Sequence, residues 1–324
     1  MKVSFIVPNF NGEEILHKNL PRVLEAAELY GEAIQHFTEV IVIDDCSTDR
    51  SVTVIESIFS KKMSKHVKCL LLKNSVNKGF SSTVNKGARQ ATGEILVLLN
   101  TDAYPEDTKN FLVSPLGYFS DPNCFAVGFM DKSVEQDGSI VMRGRGVGCW
   151  KRGVLVHIKG NVSKQNTLWV SGGSSAYRKT TWDTLGGMNE IYNPFYWEDI
   201  DLSYRALKSG YSIIFDPKCV VVHEHERGAI KRSRSRFTVQ TIAHRNQLFF
   251  VWLNLTDPAL LIAHILWLPY HILNTLRQGD CTFLIGFFQA VMRLPEILRL
   301  KGHNSAQFVL SDGQVVSEFT SEVR

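Results

Sequence analysis

The chain lacks a glycine-rich G-x-G-x-x-G turn after its first apolar run, a lysine phosphate loop, any C-x-x-C pair and any large net charge. Each absence excludes something. The stretch PNFNGEE, residues 8–14, has a single glycine and not the glycine-rich loop that lets a helix N-terminus approach a pyrophosphate, which argues against nicotinamide binding. Thirty-six Lys and Arg against 32 Asp and Glu leave a formal charge of +4, too mild for bulk attraction to nucleic acid. The six cysteines, Cys46, Cys69, Cys124, Cys149, Cys219 and Cys281, are scattered with no histidine at metal-knuckle spacing, and read as reduced thiols of a cytosolic protein. MKVSFIVPNF holds one Lys and a short β-branched run, too short and strand-like for a signal peptide, so the bulk of the chain is expected in the cytoplasm.

What is there is globular: 324 residues, 44% hydrophobic and 21% charged, enough for one large domain or a domain with an appendage. VSFIVP, EVIVIDD, KCLLLKN and EILVLLNTD are aliphatic without polar alternation, as in strands buried on both faces of a parallel sheet. Helical patterns lie between them: GEEILHKNLPRVLEAAELY, with a break or kink expected at Pro21; TDRSVTVIESIF; and FSSTVNKGARQATG, closed by Gly93. The order βαβαβ predicts an α/β fold with a doubly wound, mostly parallel sheet.

Ligands of such sheets bind beyond the carboxyl ends of the strands. There the chain carries Pro8, Asn9, Phe10 and Asn11, then Asp44, Asp45, Ser47 and Asp49, then Asn100, Thr101 and Asp102. Any one acid reads equally as a turn residue or helix cap. Together they make a rim that accepts hydrogen bonds from a nucleobase or ribose and holds a divalent cation for a diphosphate. Without glycines to cradle that diphosphate a metal must neutralise it, and Asp102 is the best placed carboxylate.

VSFIVPNFNGEE, VIVIDDCSTDRS, NKGFSSTVNKGARQATGEILVLLNTD, GGMNEIYNPFYWEDIDLSYRALKSGY and the closing VVVHEH resemble family 2 glycosyltransferases of the GT-A fold, nearest to the rhamnosyltransferase-like branch that decorates bacterial cell-surface polysaccharide. The likeness runs from about Val3 to His225 with the motifs in order. It implies inverting transfer of a sugar, rhamnose among the candidates, from a UDP- or dTDP-sugar donor to a hydroxyl of a glycan or lipid-linked acceptor. It further implies a base contact at Asp44 or Asp45, a metal-binding acid at Asp102 and a general base at Asp199. Pro8, Asn9, Asn11, Asn77, Gly79, Asn85 and Thr101 join the donor-side candidates. Where many members carry Asp-x-Asp, this chain reads Asn100, Thr101, Asp102, so His223 is a candidate extra ligand for Mn2+ or Mg2+; His223 and His225 read alternatively as polar residues at a strand end. One rival is a catalytically silent nucleotide-sugar or glycan-binding module on the same fold. A second is a nucleotidyltransferase, which would release pyrophosphate.

FYWEDIDLSYRALKSG, residues 195–210, crowds Glu198, Asp199 and Asp201 behind three rings. A helix beginning near Glu198 would hold these acids ionised through its N-terminal dipole, leaving a base for the acceptor hydroxyl. Glu198 orients the acceptor or caps the helix. Asp201 and Arg205, four apart, read as a structural ion pair, with Arg205 also a candidate substrate contact. Phe195, Tyr196 and Trp197 would flank a sugar face, with at least one of them in the core. In WVSGGSSAYRK, Gly172 and Gly173 let the backbone approach a ligand closely, or mark an ordinary turn. Residues 121–166 are expected to form variable loops or short strands, and their pattern points to no function.

Past His225 the chain changes character. ERGAIKRSRSRF, with Arg227, Lys231, Arg232, Arg234 and Arg236, reads as a lid meeting the diphosphate, a patch for anionic lipid or a solvated loop. The apolar stretches 246–277 and 281–301 are interrupted by Asp257, Pro258, His264, Pro269 and Arg293, so amphipathic helices in the membrane interface fit better than a docking or dimer surface, and better still than spans. The expected division is a nucleotide-sugar-binding and catalytic domain over 1–226, a basic and membrane-associated segment over 227–302, and a loosely held polar tail over 303–324. The protein is expected at the cytoplasmic membrane face, with no nucleic-acid partner.

Overall fold

The computed structural model describes residues 1–61, 64–135, 137–223 and 234–323. The βα alternation is present as β1 (Val3–Asn9), α1 (Glu13–Ala33), β2 (Thr38–Asp44), α2 (Ser51–Lys61), β3 (Val67–Lys73), α3 (Phe80–Gln90) and β4 (Ile95–Leu99). The four strands pair in parallel in the order β3-β2-β1-β4. Alternate residues feed two cores. Phe5, Val7, Val40 and Val42 meet Leu16, Leu20, Val23 and Leu24 of α1, while Ile6, Ile41 and Ile43 pack on Val84 and Ala88 of α3. With both faces covered, β1 and β2 have no solvated side to mark with polar residues.

Three local expectations change. KCLLLKN forms β3 at the sheet edge, half-buried rather than buried, with exposed Lys68 and Lys73 of the kind that blunt an edge strand. α1 continues through Pro21 as one helix, because Leu20, Val23 and Leu24 are buried on both sides of the proline and packing there outweighs one lost backbone bond. α3 ends at Gln90, before Gly93. Gly93 serves a different need: a Cβ there would lie 2.6 Å from the Ser4 hydroxyl, to which the Gly93 N–H donates at 2.9 Å.

Beyond β4 the sheet continues through antiparallel β10 (Ser174–Arg178) to β6 (Cys124–Val134), β11 (Ser212–His223) and β5 (Ala103–Pro105). A hairpin strand, β7 (Ile140–Arg143), pairs with β6, and β8 (Gly146–Lys151) with β9 (Val154–Lys159) makes a separate ribbon. The short helices α4 (Val113–Tyr118) and α5 (Lys179–Thr184) close connections, and α6 (Glu198–Lys208) follows a single 3-10 turn at Glu190–Tyr192.

The C-terminal third is α7 (Arg236–Asn254), α8 (Pro258–Arg277), α9 (Thr282–Met292), α10 (Leu294–Ser305) and α11 (Asp312–Val316). α7 corrects the expectation of an interfacial helix at residues 246–254: Leu248, Phe249, Phe250, Val251 and Leu253 are fully buried and build a third core with Ile200 and Tyr204 of α6. Helix α6 is thereby covered on both sides, since Leu202 and Ala206 face the sheet's core. α8 differs from α7. Only His264 of it is buried, and by length and composition it suffices to cross a membrane, with 20 residues and a mean hydropathy of 1.4. Of the expected interruptions, Asp257 stands outside the helix at its N-cap position and Pro258 at its first turn, where its missing N–H costs nothing, while His264 and Pro269 lie within it.

The tail is not loosely held. Val315, Val316 and Phe319 enter the third core, and the fully buried Asp312 accepts from Lys208 Nζ at 2.9 Å, the Tyr204 hydroxyl at 2.8 Å and the Thr256 N–H at 2.7 Å. Lys208 Nζ donates as well to the Asn254 carbonyl at 3.0 Å and the Thr256 hydroxyl at 2.6 Å. Removing one partner of such a pair strands a buried charge. Asp312→Ala is expected to lower the unfolding free energy by about 3–5 kcal/mol in denaturant titration; a loss below about 1 kcal/mol, the level of an exposed pair, would show that the tail is dispensable.

Candidate active site at the carboxyl ends of the strands

A cavity of about 480 Å³ opens at the carboxyl ends of β1, β2 and β4, in the range of small-molecule sites. Its walls hold most of the expected residues. Pro8, Asn9 and Asn11 line it from the end of β1, Asp45 and Asn77 from the loops after β2 and β3, and Thr101 and Asp102 from the end of β4. Gly172, Gly173, Glu198, Asp199 and His223 complete the opposite side.

Asp45 is fixed by backbone: its Oδ1 accepts the Lys78 N–H at 2.8 Å and its Oδ2 the Gly79 N–H at 2.9 Å. Asp44 does not reach the cavity. It accepts from Asn9 Nδ2 at 2.8 Å and from the Ser47 hydroxyl at 2.6 Å, tying the β1 and β2 ends together. Gly79 and Asn85 are likewise removed from the wall. Gly79, at φ 84°, begins α3 against Asn193 and Pro194, and Asn85 donates to the Met188 carbonyl at 2.8 Å.

His223, at the end of β11, sits between two carboxylates, with Nε2 3.0 Å from Asp102 Oδ1 and Nδ1 3.0 Å from Asp131 Oδ2. Burial disfavours the imidazolium, but the two carboxylates outweigh it and raise His223 to about 10. Among the described residues no three His, Cys, Asp or Glu side chains converge as a metal cluster. Asp102 and His223 still suit a cation that takes its remaining donors from phosphate and water, as Mg2+ and Mn2+ sites on diphosphates do. Asp131 would orient the imidazole from behind. His225, Arg227, Lys231 and Arg232 lie outside the described residues.

Glu198 and Asp199 open α6, as expected, yet the helix dipole does not keep both ionised. Glu198 is 6% exposed and its Oε2 has no protein partner. Burial first, then repulsion from Asp199, pushes Glu198 well above the ordinary carboxylate range. The dipole's contribution, about 0.3–1 kcal/mol at ordinary sites, is small beside the several kcal/mol of stripping water from an unpaired carboxylate. Burial raises Asp199 too, opposed by the Gly172 N–H on Oδ2 at 3.2 Å and the Ile200 N–H on Oδ1 at 2.8 Å. Glu198 is therefore the more strongly raised of the pair, and Asp199, steadied by two amides, the more readily ionised.

Gly172 and Gly173 set the distance between the two ends of the site. A Cβ on Gly173 would clash at 2.4 Å with Asn100 Nδ2, whereas one on Gly172 would lie 3.2 Å from the Met188 and Phe80 side chains and at an ordinary 3.4 Å from Asp199 Cβ. The glycines thus let the β4 end and the α6 start close on one cavity.

The aromatic triplet divides. Tyr196, 41% exposed, and Phe195 line the cavity. Trp197 does not: it is buried with its ring 5.0 Å from His157 and 5.1 Å from Phe250. Arg205 is a structural cation rather than a substrate contact, donating to Asp201 Oδ2 at 2.7 Å, the Leu185 carbonyl at 2.6 Å and the Gly187 carbonyl at 2.7 Å. Residues 121–166 hold a wall residue that went unread. Arg143, on β7, lines the cavity while pairing with Glu135, and its Nε is buried without a partner. Asp131, its register partner across the hairpin, is the carboxylate behind His223. Arg234 of the basic segment also reaches the cavity.

Two further wall oxygens, Asn9 Oδ1 and Asn100 Oδ1, are buried without protein partners. Unmet acceptors lining a cavity call for the N–H and O–H donors of a ligand.

In metal-free protein the His223 imidazolium is expected to persist at pH 8 by NMR, and Asp131→Asn to bring its titration down toward the ordinary value. Its folded pKa being raised, the stability it contributes is fully present below about 6.5 and is lost as pH rises through about 10. A His223 resonance that titrates near 6.5 in the unmodified chain would contradict the paired arrangement.

Solved structures with the same architecture include the 1–349 portion of TarS from S. aureus in complex with UDP-GlcNAc, 16% identical with a TM-score of 0.57 over 99% of this chain and 92% of that one. The mannosyltransferase PcManGT from Pyrobaculum calidifontis, in complex with GDP-Man and Mn2+, is 17% identical with a TM-score of 0.55 over 99% of this chain and 79% of that one. These likenesses establish the GT-A fold. In sequence, the chain is 23% identical over 230 residues to the O-antigen chain rhamnosyltransferase RfbN of Salmonella typhimurium, covering 69% of this chain and 67% of the relative. It is 33% identical over 100 residues to an undecaprenyl-phosphate 4-deoxy-4-formamido-L-arabinose transferase of Pectobacterium carotovorum, covering 31% of this chain and 28% of the relative. With its match to glycosyl transferase family 2 running from residue 4 to 184, more than half its length, the chain belongs to that family.

Proposed function

We propose that this protein is a metal-assisted, inverting glycosyltransferase that moves a sugar from a uridine or thymidine diphosphate donor to a hydroxyl of a glycan or lipid-linked acceptor in cell-surface polysaccharide synthesis. The observation that carries the reading is one cavity with Asp102 and His223 on one wall, Glu198 and Asp199 on another, and Gly172–Gly173 holding the two together. Rhamnose is the first sugar to test, because the Salmonella relative is named for it and aligns over most of both chains.

In this reading Asp45 takes the nucleobase, with Asn77 beside it, and Asn9 and Asn100 accept from ribose or sugar hydroxyls. Asp102 and His223 would hold the divalent cation, Mn2+ or Mg2+, once the imidazolium has lost its proton to solvent; the cation would offset the charge of the diphosphate. Asp199 accepts the acceptor's hydroxyl proton as that oxygen bonds to the anomeric carbon and the bond from that carbon to the diphosphate oxygen breaks on the opposite face. Glu198, protonated, keeps a second negative charge away from the base. Arg143 and Arg234 are the cations available to the departing diphosphate.

Asp199→Asn is expected to leave donor binding nearly intact and to lower kcat by a factor on the order of a hundred or more. Because burial raises Asp199, the acid limb of the wild-type kcat–pH profile should lie above the ordinary aspartate range. Turnover unchanged in the variant removes Asp199 from this role. Asp102→Ala should abolish the thermal stabilisation that Mn2+ adds to a bound donor; stabilisation that survives would place the cation elsewhere.

The acceptor's membrane is met, in this reading, by α8 and the helices after it. Ile262, Ile265, Leu266, Leu273 and Leu276 form an exposed stripe at helical spacing, extended by Phe288, Met292 and Leu298. Trp267 and Tyr270 flank the stripe, with the Arg152 guanidinium over both rings and Arg277, Arg293 and Arg299 near its ends. His264 and His271 tie α8 to the protein, through the Gly153 carbonyl at 2.7 Å and the Arg152 carbonyl at 2.8 Å. That anchorage favours a helix lying in the lipid interface. Sedimentation with vesicles rich in anionic lipid is expected for the wild type and lost in Leu266→Asp/Leu273→Asp; equal recovery of the double variant would contradict interfacial docking.

A further inference from the structure

The segment that delivers the acid pair is held in an unfavourable backbone shape. Tyr196 and Trp197 have φ of 72° and 77°, left-handed values that cost a bulky aromatic roughly 1–3 kcal/mol each. α6 also begins without a side-chain cap on its N-terminus. The restraint comes from another part of the chain. Asn246 of α7, fully buried, donates from Nδ2 to the Tyr192 carbonyl at 2.7 Å and to the Phe195 and Tyr196 carbonyls at 2.9 Å each. Its Oδ1 accepts from Arg245 Nε at 2.9 Å, and Arg245 Nη2 donates to the Asn193 carbonyl at 2.7 Å. Four carbonyls of the loop, at residues 192, 193, 195 and 196, are thus met by two adjacent side chains of one helix. About two turns further along, Asn254 Nδ2 donates to Asp201 Oδ1 at 2.7 Å, fixing the same helix to α6 itself.

We infer that Arg245 and Asn246 are positioning residues for sugar transfer, clamping the 192–197 loop so that Glu198 and Asp199 face the cavity. Neither lines the cavity itself, Asn246 holding the wall residues Phe195 and Tyr196 from behind, and both lie beyond the residues 4–184 that match the family. An aspartate of the same shape accepts where Asn246 donates, and an aliphatic residue leaves three carbonyls unpaired in a dry site.

The catalytic part of the inference rests on the reading of Asp199 as base; the structural part stands alone. The test uses full-length Asn246→Asp, with Arg245→Gln as the milder variant in case the first does not fold. Donor KM should stay within about threefold while kcat falls on the order of ten- to a hundredfold, the scale of a misplaced catalytic group. Amides of residues 196–201 should exchange with deuterium faster than in the wild type. A folded variant with wild-type kcat and wild-type exchange, and only a lowered Tm, would overturn the inference by reducing both residues to ordinary core packing. Should the wild type transfer no sugar from any donor, the reaction assignment fails, and the clamp is then judged by exchange alone: unchanged protection at 196–201 refutes it.

Discussion

Helix α6 has no solvent face to spare. Its first turn must show two carboxylates to a cavity while the rest lies between the sheet's core and the C-terminal helices, and the buried Asp201 makes this tolerable. Asp201 accepts from Arg205, from the Tyr192 hydroxyl at 2.9 Å and from Asn254, so a charge taken wholly out of water is met from three sides. Such a site adds little net stability, since the desolvation of both ions consumes most of the Coulombic gain. What it supplies is orientation: Arg205 reaches the 185–187 turn, Tyr192 stands at the loop's start and Asn254 on α7, so one carboxylate registers three separate elements against the helix.

That registration explains why three acids can stand within four residues. They are chemically unlike. Asp201 is paired and structural, Glu198 is buried and the more strongly raised, and Asp199 accepts two backbone amides at the cavity's edge. Environment, rather than residue type, separates the roles. The same logic governs the opposite wall, where Asp102 and Asp131 face one imidazole from two sides and only Asp102 also faces the cavity.

The parallel strands were legible because burial on both faces leaves an aliphatic run with no polar phase, and the strand-end residues were legible because topology sends Asn9, Asp45 and Asp102 to one edge. Asp44 and Asp45 could not be told apart by sequence, since adjacent residues at a strand end point to opposite sides. Arg143 was hidden in a glycine-broken stretch whose hairpin becomes readable only when β7 pairs with β6. Trp197 carries the composition of a sugar platform, yet its left-handed backbone turns the ring into the third core. Most hidden was the C-terminal third, where the less apolar α7 is interior and the more apolar α8 is exposed, because what decides between them is the surface each meets rather than apolar content. Asn246 and Asp312 are ordinary polar residues in the sequence and become informative only through buried partners distant in the chain.

The most direct measurement is a transfer assay on the full-length protein with a panel of nucleoside diphosphate sugars, with and without Mn2+ or Mg2+, reading release of the free nucleoside diphosphate together with the anomeric configuration of the product by NMR. The account predicts metal-dependent release from a uridine or thymidine diphosphate donor, and inversion at the anomeric carbon. No release from any donor under any metal condition, or a product that retains the donor's configuration, would contradict it.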